Sequence, residues 1–523
     1  MKKSNLYLFF SLAFSLILAC FIQHRVFFDH YAINDDVRNQ IYWMARIREP
    51  ELFKNDYIAS YFTQSSFISP VLYCIYNILS CCLDPIRLSQ ILPFPLVLFA
   101  TFFLFKIAEA SLNSRYAFWV SYVFNLFVWS CSNLSGGLAR AFFYPLTFLF
   151  LWLYTTRNYI WIIPCLCLQC LTYPTVFFVS VLMIIIELIL DRRKPEQREK
   201  ILYSLAAIVS GLFVLAYRYL KTPIDHKFGQ LVNIKDALSM PEFYLNGRIK
   251  VFPFTYGLFS DHLVIQKLNE AVCSIHFKGF VLGAVLILVL FLLRKRLILY
   301  RTLLPRLIWS VFFSSIILYI FALIMMFYLY LPQRYLQYGV PVLLVFLAGG
   351  LLYQIDCSIE SKKRYRLILM AISLLLIFSL FWEDDLISLG QNKKMILRYL
   401  QSLPGSATIA APLNIADNIP AFSHKSIFIS NESDVPFHKN YYKKISSRML
   451  DWNNAYYSDK PEIVEDFIRG NKIDYIIVDH NDFQSKSDKF VLNNIPSKCH
   501  PIFFNCYKVI PGIQINQRRC LRK

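Results

Sequence analysis

The chain has 523 residues, of which 56% are hydrophobic and 17% aromatic, and its formal net charge is +20. A soluble protein cannot place so many apolar side chains, because its surface must face water; the composition therefore predicts an integral membrane protein. The basic residues lie in short clusters between apolar runs, at 192–200, 294–301 and 362–366. This distribution indicates cytoplasmic loops and excludes a nucleic-acid partner, which would need one continuous basic face.

The apolar runs predict about eleven membrane-spanning helices, since roughly 20 residues cross the hydrocarbon core. With the basic N-terminus in the cytoplasm, the first helix leads to a long outer loop at 24–66. The run at 159–190 is interrupted by a proline, and we interpret it as one kinked helix because this places the first basic cluster inside. A second outer loop then spans 221–276. The predicted spans are 6–22, 67–83, 90–107, 116–132, 138–156, 159–190, 201–220, 277–293, 307–331, 335–355 and 365–382.

The segment after the last span predicts a small α/β domain on the outer face, because helix and strand signals alternate there. The chain thus divides into a membrane module, 1–383, and an extracytoplasmic domain, 384–523. In the second part, Cys499 and Cys506 are close enough in sequence to form a disulfide in an oxidising compartment. The predicted helices are Asn392–Leu403 and Pro461–Arg469, the latter ended by Gly470, and the predicted strands are Ala407–Ala411, Ser426–Ser430 and Ile473–Asp479.

The polar segment 34–62 follows the first helix directly and is the most informative part of the chain. Val37, Ile41 and Met44 recur in it at helical spacing. This pattern predicts an amphipathic helix that lies along the membrane surface.

Acidic residues mark this segment: Asp35 and Asp36 lie at its start, and Asp56 follows further along. Adjacent carboxylates at a helix start can cap the helix and interact with its dipole. Two neighbouring carboxylates repel each other, however, unless a cation lies between them or their pKa values separate. The pair therefore fits either capping or a functional site with a metal ion or an acid–base pair.

These features resemble the GT-C superfamily of integral membrane glycosyltransferases, which includes protein O-mannosyltransferases and aminoarabinose transferases. The shared features are the acidic pair at the head of a long outer loop, many further helices and an outer C-terminal domain. The chain is more closely similar to a bacterial group of GT-C-like membrane proteins of unassigned substrate. The loop positions that match this group are Asp35, Asp36, Trp43, Met44, Arg46, Pro50, Leu52, Phe53 and Asp56. The further similar segments are GLARAFFYP at 137–145, LPQRY at 331–335, IPAFSHKSIFISNE at 419–432 and AYYSD at 455–459.

The resemblance implies an inverting hexosyl- or pentosyltransferase in a bacterial inner membrane. Its donor would be a sugar on a polyprenyl phosphate among the membrane lipids, and its acceptor a lipid, glycan or protein at the outer face. Asp35 would be the general base that deprotonates the acceptor hydroxyl. Asp36, with Asp56, would hold a divalent cation, Mg or Mn, or orient the acceptor; several members of the superfamily lack the metal.

The leaving phosphate needs cationic partners at the outer interface. The predicted topology places Arg334 there, at the outer start of a late helix, with Arg248 and Lys250 of the second outer loop as further candidates. Arg140 belongs to a matching segment, but the predicted topology puts it near the cytoplasmic end of a helix, so its role stays open. Two other functions remain in competition: a transporter or flippase of lipid-linked sugars, and a non-catalytic GT-C-like assembly component.

Overall fold

The computed structural model describes residues 3–64, 68–130, 133–191, 198–221, 227–244, 247–249, 251–252, 305–358, 386–479, 482, 504–510 and 514–517. The spans predicted at 277–293 and 365–382, Lys250 and Cys499 lie outside these residues, as does the side chain of Cys506. The predicted disulfide is therefore not described.

Long apolar helices form the larger part of the structure. Within the described residues, six helices are long and apolar enough to cross a membrane. Many of their apolar side chains, such as Ile17 and Phe213, are exposed on the outside of the bundle, as a surface that faces lipid requires. The helices of this part are α1 Lys3–Ile22, α2 Arg25–Phe28, α3 Val37–Gln40, α4 Tyr57–Gln64, α5 Pro70–Leu79, α6 Pro85–Ile91, α7 Pro93–Ser111, α8 Ser114–Ser130, α9 Phe143–Thr155, α10 Ile162–Thr172, α11 Pro174–Asp191, α12 Arg198–Lys221, α13 Ile234–Leu238, α14 Arg306–Met325 and α15 Gln333–Ser358.

Ion pairs join the helices at one end of the bundle, which we call the basic end. Arg306 of α14 donates to Asp191 of α11 at 2.8 Å, and Lys200 of α12 lies 2.8 Å from the same carboxylate. Arg115 of α8 donates to Asp356 of α15 at 2.8 Å. At the other end, the loops and the C-terminal unit (residues 386–517) cover the bundle, and we call this the loop end.

Two of the predicted spans are wrong. One is too short to cross the membrane and the other is two helices, so the predicted direction of the helices after α11 is unchanged. The span at 67–83 is α5, whose 10 residues reach only about 15 Å. The span at 159–190 is two helices, α10 and α11, which separate at Tyr173 because the residue before a proline is disfavoured in the helical region. Without the first crossing, α7, α8 and α9 run opposite to the predicted direction. Arg140, just before α9, therefore comes to the loop end and not to the basic end.

The C-terminal unit is built on a sheet of strand order β2-β1-β3-β4-β5. β1 pairs in parallel with β2 and β3, whereas β3–β4 and β4–β5 are antiparallel. The central strand β3 is buried throughout, as its apolar sequence predicts. The strands are β1 Thr408–Ala410, β2 Ser426–Ile427, β3 Tyr475–Asp479, β4 Phe504–Ile510 and β5 Gln514–Gln517; the helices are α16 Gln391–Gln401, α17 Leu413–Ala416, α18 Ile419–Ser423, α19 Lys439–Tyr456 and α20 Pro461–Asn471.

The five elements predicted for this unit are present to within a few residues of their predicted bounds; α20 continues past Gly470 to Asn471, after which Lys472 takes the left-handed conformation with φ 54°. The sequence did not predict α17, α18, α19, β4 and β5.

The first loop (residues 29–69) packs between the bundle and the C-terminal unit. Val37 and Ile41 are fully buried, and α3 and the 3-10 helix Tyr42–Ile47 contact α18. The apolar face predicted to lie on the membrane surface is thus covered by protein. The contacts of this face hold the C-terminal unit against the bundle.

Candidate functional site

A cavity of about 980 Å³ lies at the loop end, where the first loop, the second loop (described between 227 and 252), the helix ends and the C-terminal unit meet. Its charged lining residues include two acids of the first loop and one acid of the C-terminal unit, together with four arginines. They are Asp35, Asp36, Glu432, Arg140, Arg218, Arg248 and Arg334. The structure therefore brings the predicted Asp35, Asp36, Arg248 and Arg334 together, and adds Arg140.

Asp36 pairs with Arg140, whose guanidinium also donates to Asn34 Oδ1 at 3.0 Å. Two left-handed glycines before Arg140 make this possible. Gly136 has φ 83°, and a Cβ on it would lie 2.9 Å from Cβ of Asn34, so only glycine lets the two segments approach this closely. Arg140, whose role the sequence left open, thus lies at the loop end and pairs with Asp36.

The charge of Arg140 sets the protonation state of Asp36. Burial alone would raise the pKa of Asp36, but the charge and hydrogen bond of Arg140 outweigh it, and this pKa lies below its ordinary value. Asp36 precedes α3 without a side-chain capping bond. Its carboxylate is therefore ionised and engaged with a guanidinium, not with the helix end.

Asp35 presents its carboxylate to the cavity, with 56% of its side chain exposed. Its partner is Arg38, one turn later, whose side chain is only 10% exposed. Arg38 also lies 3.6 Å from the Glu432 carboxylate and donates to Asn418 Oδ1 at 3.2 Å. Asp35 is thus accessible from the cavity, and the guanidinium of Arg38 also contacts two residues of the C-terminal unit.

Arg334, at the start of α15, differs from Arg248 in its partners. It donates to the Tyr338 hydroxyl at 3.0 Å and to Gln337 Oε1 at 3.3 Å, and its guanidinium lies over the Tyr338 ring. In the described part of the chain, no carboxylate lies within 4.0 Å of it, whereas Arg248 pairs with Glu432 at 3.0 Å. Of these two candidates for a phosphate, Arg334 is the one whose charge is not already balanced by a close carboxylate.

Asp56 does not line the cavity. Its Oδ1 accepts from the backbone N–H groups of Ile58 at 2.8 Å and Ala59 at 3.0 Å, so it caps the start of α4. Burial raises the pKa of this carboxyl above its ordinary value, although the two N–H donors oppose the change. The structure thus shows Asp56 capping α4, away from the cavity, and its predicted part in a metal site stays a prediction.

The described residues do not fit a divalent cation. Such ions bind clusters of oxygen ligands, and no group of three His, Cys, Asp or Glu residues comes together among the residues that the structure describes. Each cavity carboxylate also pairs with an arginine: Asp35 with Arg38, and Asp36 with Arg140.

Apolar side chains line the other wall of the cavity. Leu72 of α5, Pro174 and Phe178 of α11 and Leu329 after α14 contribute to it. Tyr328 lines the same wall and is 57% exposed. The cavity thus combines charged groups with apolar side chains of the bundle helices.

Sequence reasoning missed Arg38 and Glu432. Arg38 lies three residues after Asp35 and shares its helix face, which was a usable signal. Glu432 ends a C-terminal segment similar to the bacterial group, but nothing in the sequence places it beside the first loop. Its position depends on how the C-terminal unit packs.

Solved structures with the same architecture were found by comparison. The Archaeoglobus fulgidus oligosaccharyltransferase in complex with Zn and sulfate matches 90% of this chain and 68% of its own, with a TM-score of 0.51 at 10% identity. Its apo form gives a TM-score of 0.51 at 10% identity, over 91% and 70% of the two chains. This chain shares the oligosaccharyltransferase fold. The archaeal enzyme AglB, with an inhibitory peptide and a dolichol-phosphate, gives 0.50 at 10% identity over 92% and 70%.

The likeness is one of fold, at 10% identity. The GT-C superfamily that the resemblance implies stays a prediction. With its apolar helices, the chain is an integral membrane protein of this architecture. No protein-family model matches the chain, and no curated protein matches it. The similarity to a bacterial group stays a prediction.

Proposed function

We propose that this protein is an inverting glycosyltransferase that moves a sugar from a polyprenyl-phosphate donor to a lipid, glycan or protein acceptor. The observation that carries the proposal is that Asp35 and Arg334 line one cavity together with a wall of apolar side chains from the membrane bundle. A lipid tail fits along that wall, and a phosphate fits beside an arginine without a close carboxylate partner. The archaeal neighbour was solved with a dolichol-phosphate, which is a ligand of the same class.

In the proposed reaction, Asp35 accepts the proton of an acceptor hydroxyl as its oxygen attacks the anomeric carbon of the donor sugar. The bond from that carbon to the phosphate oxygen breaks, and the phosphate leaves with the bonding electrons. Arg334 stabilises the negative charge that develops there. Asp36 serves as an anchor: its pairing with Arg140 fixes the backbone from which Asp35 projects.

The distribution of charge supports an orientation. Lys200, Arg306 and Arg115 lie at the basic end of the bundle, and the positive-inside rule places such an end in the cytoplasm. The cavity, the first loop and residues 384–523 then lie outside, with the N-terminus inside, as expected for a bacterial inner membrane. Residues 1–383 are the proposed membrane module.

The experiment compares Asp35→Asn with Glu51→Gln, an exposed acid of the same loop that pairs only with Lys54 among the described residues. Membranes carrying each variant are given radiolabelled polyprenyl-phosphate sugars, and sugar released from the lipid to an acceptor is counted. We expect loss of transfer in Asp35→Asn and wild-type transfer in Glu51→Gln, at equal expression. Retained transfer in Asp35→Asn would overturn the proposal.

The same assay separates the competing functions. A flippase would carry the donor across the membrane with its sugar still attached, and an assembly component would leave the donor unchanged. Either result in the wild-type membranes contradicts the transferase proposal.

A further inference from the structure

The guanidinium of Arg334 is held by its own helix through one nitrogen only. Its Nη1 donates to the Tyr338 hydroxyl at 3.0 Å and to Gln337 Oε1 at 3.3 Å, which uses both protons of that nitrogen. Within the described part of the chain, Nε and Nη2 donate to no acceptor. Arg334 lines the cavity. One side of its guanidinium is therefore left for a ligand there.

The chemistry of that side determines which ligands fit. Nε and Nη2 form one edge of the planar guanidinium, and each directs an N–H bond to the same side. Two parallel N–H bonds match two oxygens on one central atom, as in a phosphate group. A phosphate joined to a lipid presents at least two such oxygens, so it can accept both bonds at once.

Tyr338 fixes the direction of this edge. It lies one turn after Arg334 on α15, its side chain is fully buried, and the guanidinium lies over its ring, 5.8 Å from the centroid. The rings of Phe143 and Tyr173 pack against the Tyr338 ring, with centroids 4.8 Å and 6.2 Å away. Gln337, the other acceptor, is exposed. The Tyr338 hydroxyl is therefore the acceptor that packing holds in place.

The rings around Tyr338 belong to segments that form other parts of the cavity. Phe143 begins α9, three residues after Arg140, and Tyr173 follows α10 and lines the cavity. Tyr338 is described by the structure but is not one of the lining residues. It can therefore act on a bound ligand only through Arg334.

We propose that Tyr338 is a positioning residue that turns the Nε–Nη2 edge of Arg334 toward the donor phosphate, which then accepts two parallel hydrogen bonds. Without the hydroxyl, Arg334 keeps its charge but loses its fixed direction, and a long side chain that is free to rotate must be ordered when the phosphate binds. This inference rests on the proposed function, in which the donor phosphate binds at Arg334.

The test measures equilibrium binding of radiolabelled polyprenyl phosphate, without a sugar, to the purified full-length protein in detergent. Tyr338→Phe keeps the ring and removes the hydroxyl, and we expect it to raise the Kd about three- to tenfold, since a hydrogen bond to a charged group is lost. Tyr76→Phe is the matched control. Tyr76 is also fully buried, and its hydroxyl has no hydrogen-bond partner in the described structure, so this variant should bind like wild type.

A double variant separates positioning from a merely structural role. Once Arg334 is replaced, Tyr338 has no guanidinium to position, so Tyr338→Phe with Arg334→Gln should bind as weakly as Arg334→Gln alone. A structural residue would weaken binding by the same factor in both backgrounds. Unchanged binding in Tyr338→Phe, or a further loss of the same factor in the double variant, would overturn the inference.

The same titration keeps this inference separate from the proposed function. Because the probe carries no sugar, a protein that shows the Tyr338→Phe effect but transfers no sugar would contradict the proposed function alone. Phosphatidylglycerol, an anionic membrane lipid that also has one phosphate, is the competitor. We expect it not to displace the probe at equal concentration, and displacement would overturn the assignment of this edge to the donor.

Discussion

Asp36 is paired with Arg140, 104 residues later in the chain, and this contact ties the first loop to the start of α9. The contact depends on the glycine turn at Gly136 and Gly137. It also depends on α9 beginning at the loop end, which follows because α5 is too short to cross the membrane. The same contact leaves the neighbouring Asp35 facing the cavity.

The Asp36–Arg140 pair should be measurable as a coupled unit. Breaking a partly buried charge pair costs about 1–3 kcal/mol, because the remaining charge keeps its desolvation without its partner. We expect Asp36→Asn and Arg140→Gln each to lower the thermal unfolding temperature and to reduce transfer. The double variant should be no worse than either single one. Additive losses in detergent-solubilised protein would show that the two side chains act separately.

Gly136 should tolerate no side chain. Its φ of 83° and the 2.8 Å approach that a Cβ would make to Val37 Cγ2 predict a loss of about 1–3 kcal/mol in Gly136→Ala. Gly405→Ala is the matched control, because no atom lies within 4 Å of its added Cβ. Thermal unfolding measures the effect: the melting temperature of Gly136→Ala should be lower than that of Gly405→Ala. Equal melting temperatures would contradict the described turn.

Arg334 should act on the donor phosphate. Replacing it with Gln removes a charge-assisted contact, and we expect the KM for the lipid-linked donor to rise about tenfold or more, with a fall in kcat. Arg469→Gln, on the surface of α20, should leave both constants unchanged. Donor titrations at saturating acceptor measure the effect, and an unchanged KM and kcat would remove Arg334 from the site.

Sugar transfer should resist chelation. Each cavity aspartate is already balanced by a guanidinium, and the described residues assemble no cluster of metal ligands. We expect wild-type rates after EDTA treatment, with no gain on adding Mg²⁺ or Mn²⁺. Loss of transfer with EDTA and recovery with either ion would contradict this, and would direct attention to residues 253–304.

The sequence was a good guide to features that depend on neighbouring residues. The strand Ile473–Asp479 and the acidic pair follow from local composition, and both are present at the expected places. The position of Arg140 could not be obtained in this way. The apolar stretch that contains α5 has the composition of a membrane span, but the helix there has only ten residues. Whether this stretch crosses the membrane decides the direction of α7, α8 and α9, and so the end at which Arg140 lies.

The position of Glu432 is a second feature that the sequence alone could not predict. Its partners Arg38, Asn39 and Arg248 lie in two other loops, and no local pattern indicates that packing. Asp56 was expected to hold a divalent cation with Asp36 because the GT-C resemblance implies it. The structure uses it to cap α4, a role that any acid before a helix can take.

The central claim is that Asp35 and Arg334 act on one lipid-linked donor, and single-turnover kinetics of the purified protein test it most directly. With labelled polyprenyl-phosphate sugar, saturating acceptor and excess enzyme, wild type should bind the donor and transfer its sugar to the acceptor, whereas Asp35→Asn should bind the donor with the same affinity and leave it intact. Arg334→Gln should bind weakly. Cleavage by Asp35→Asn at the wild-type rate would contradict the account.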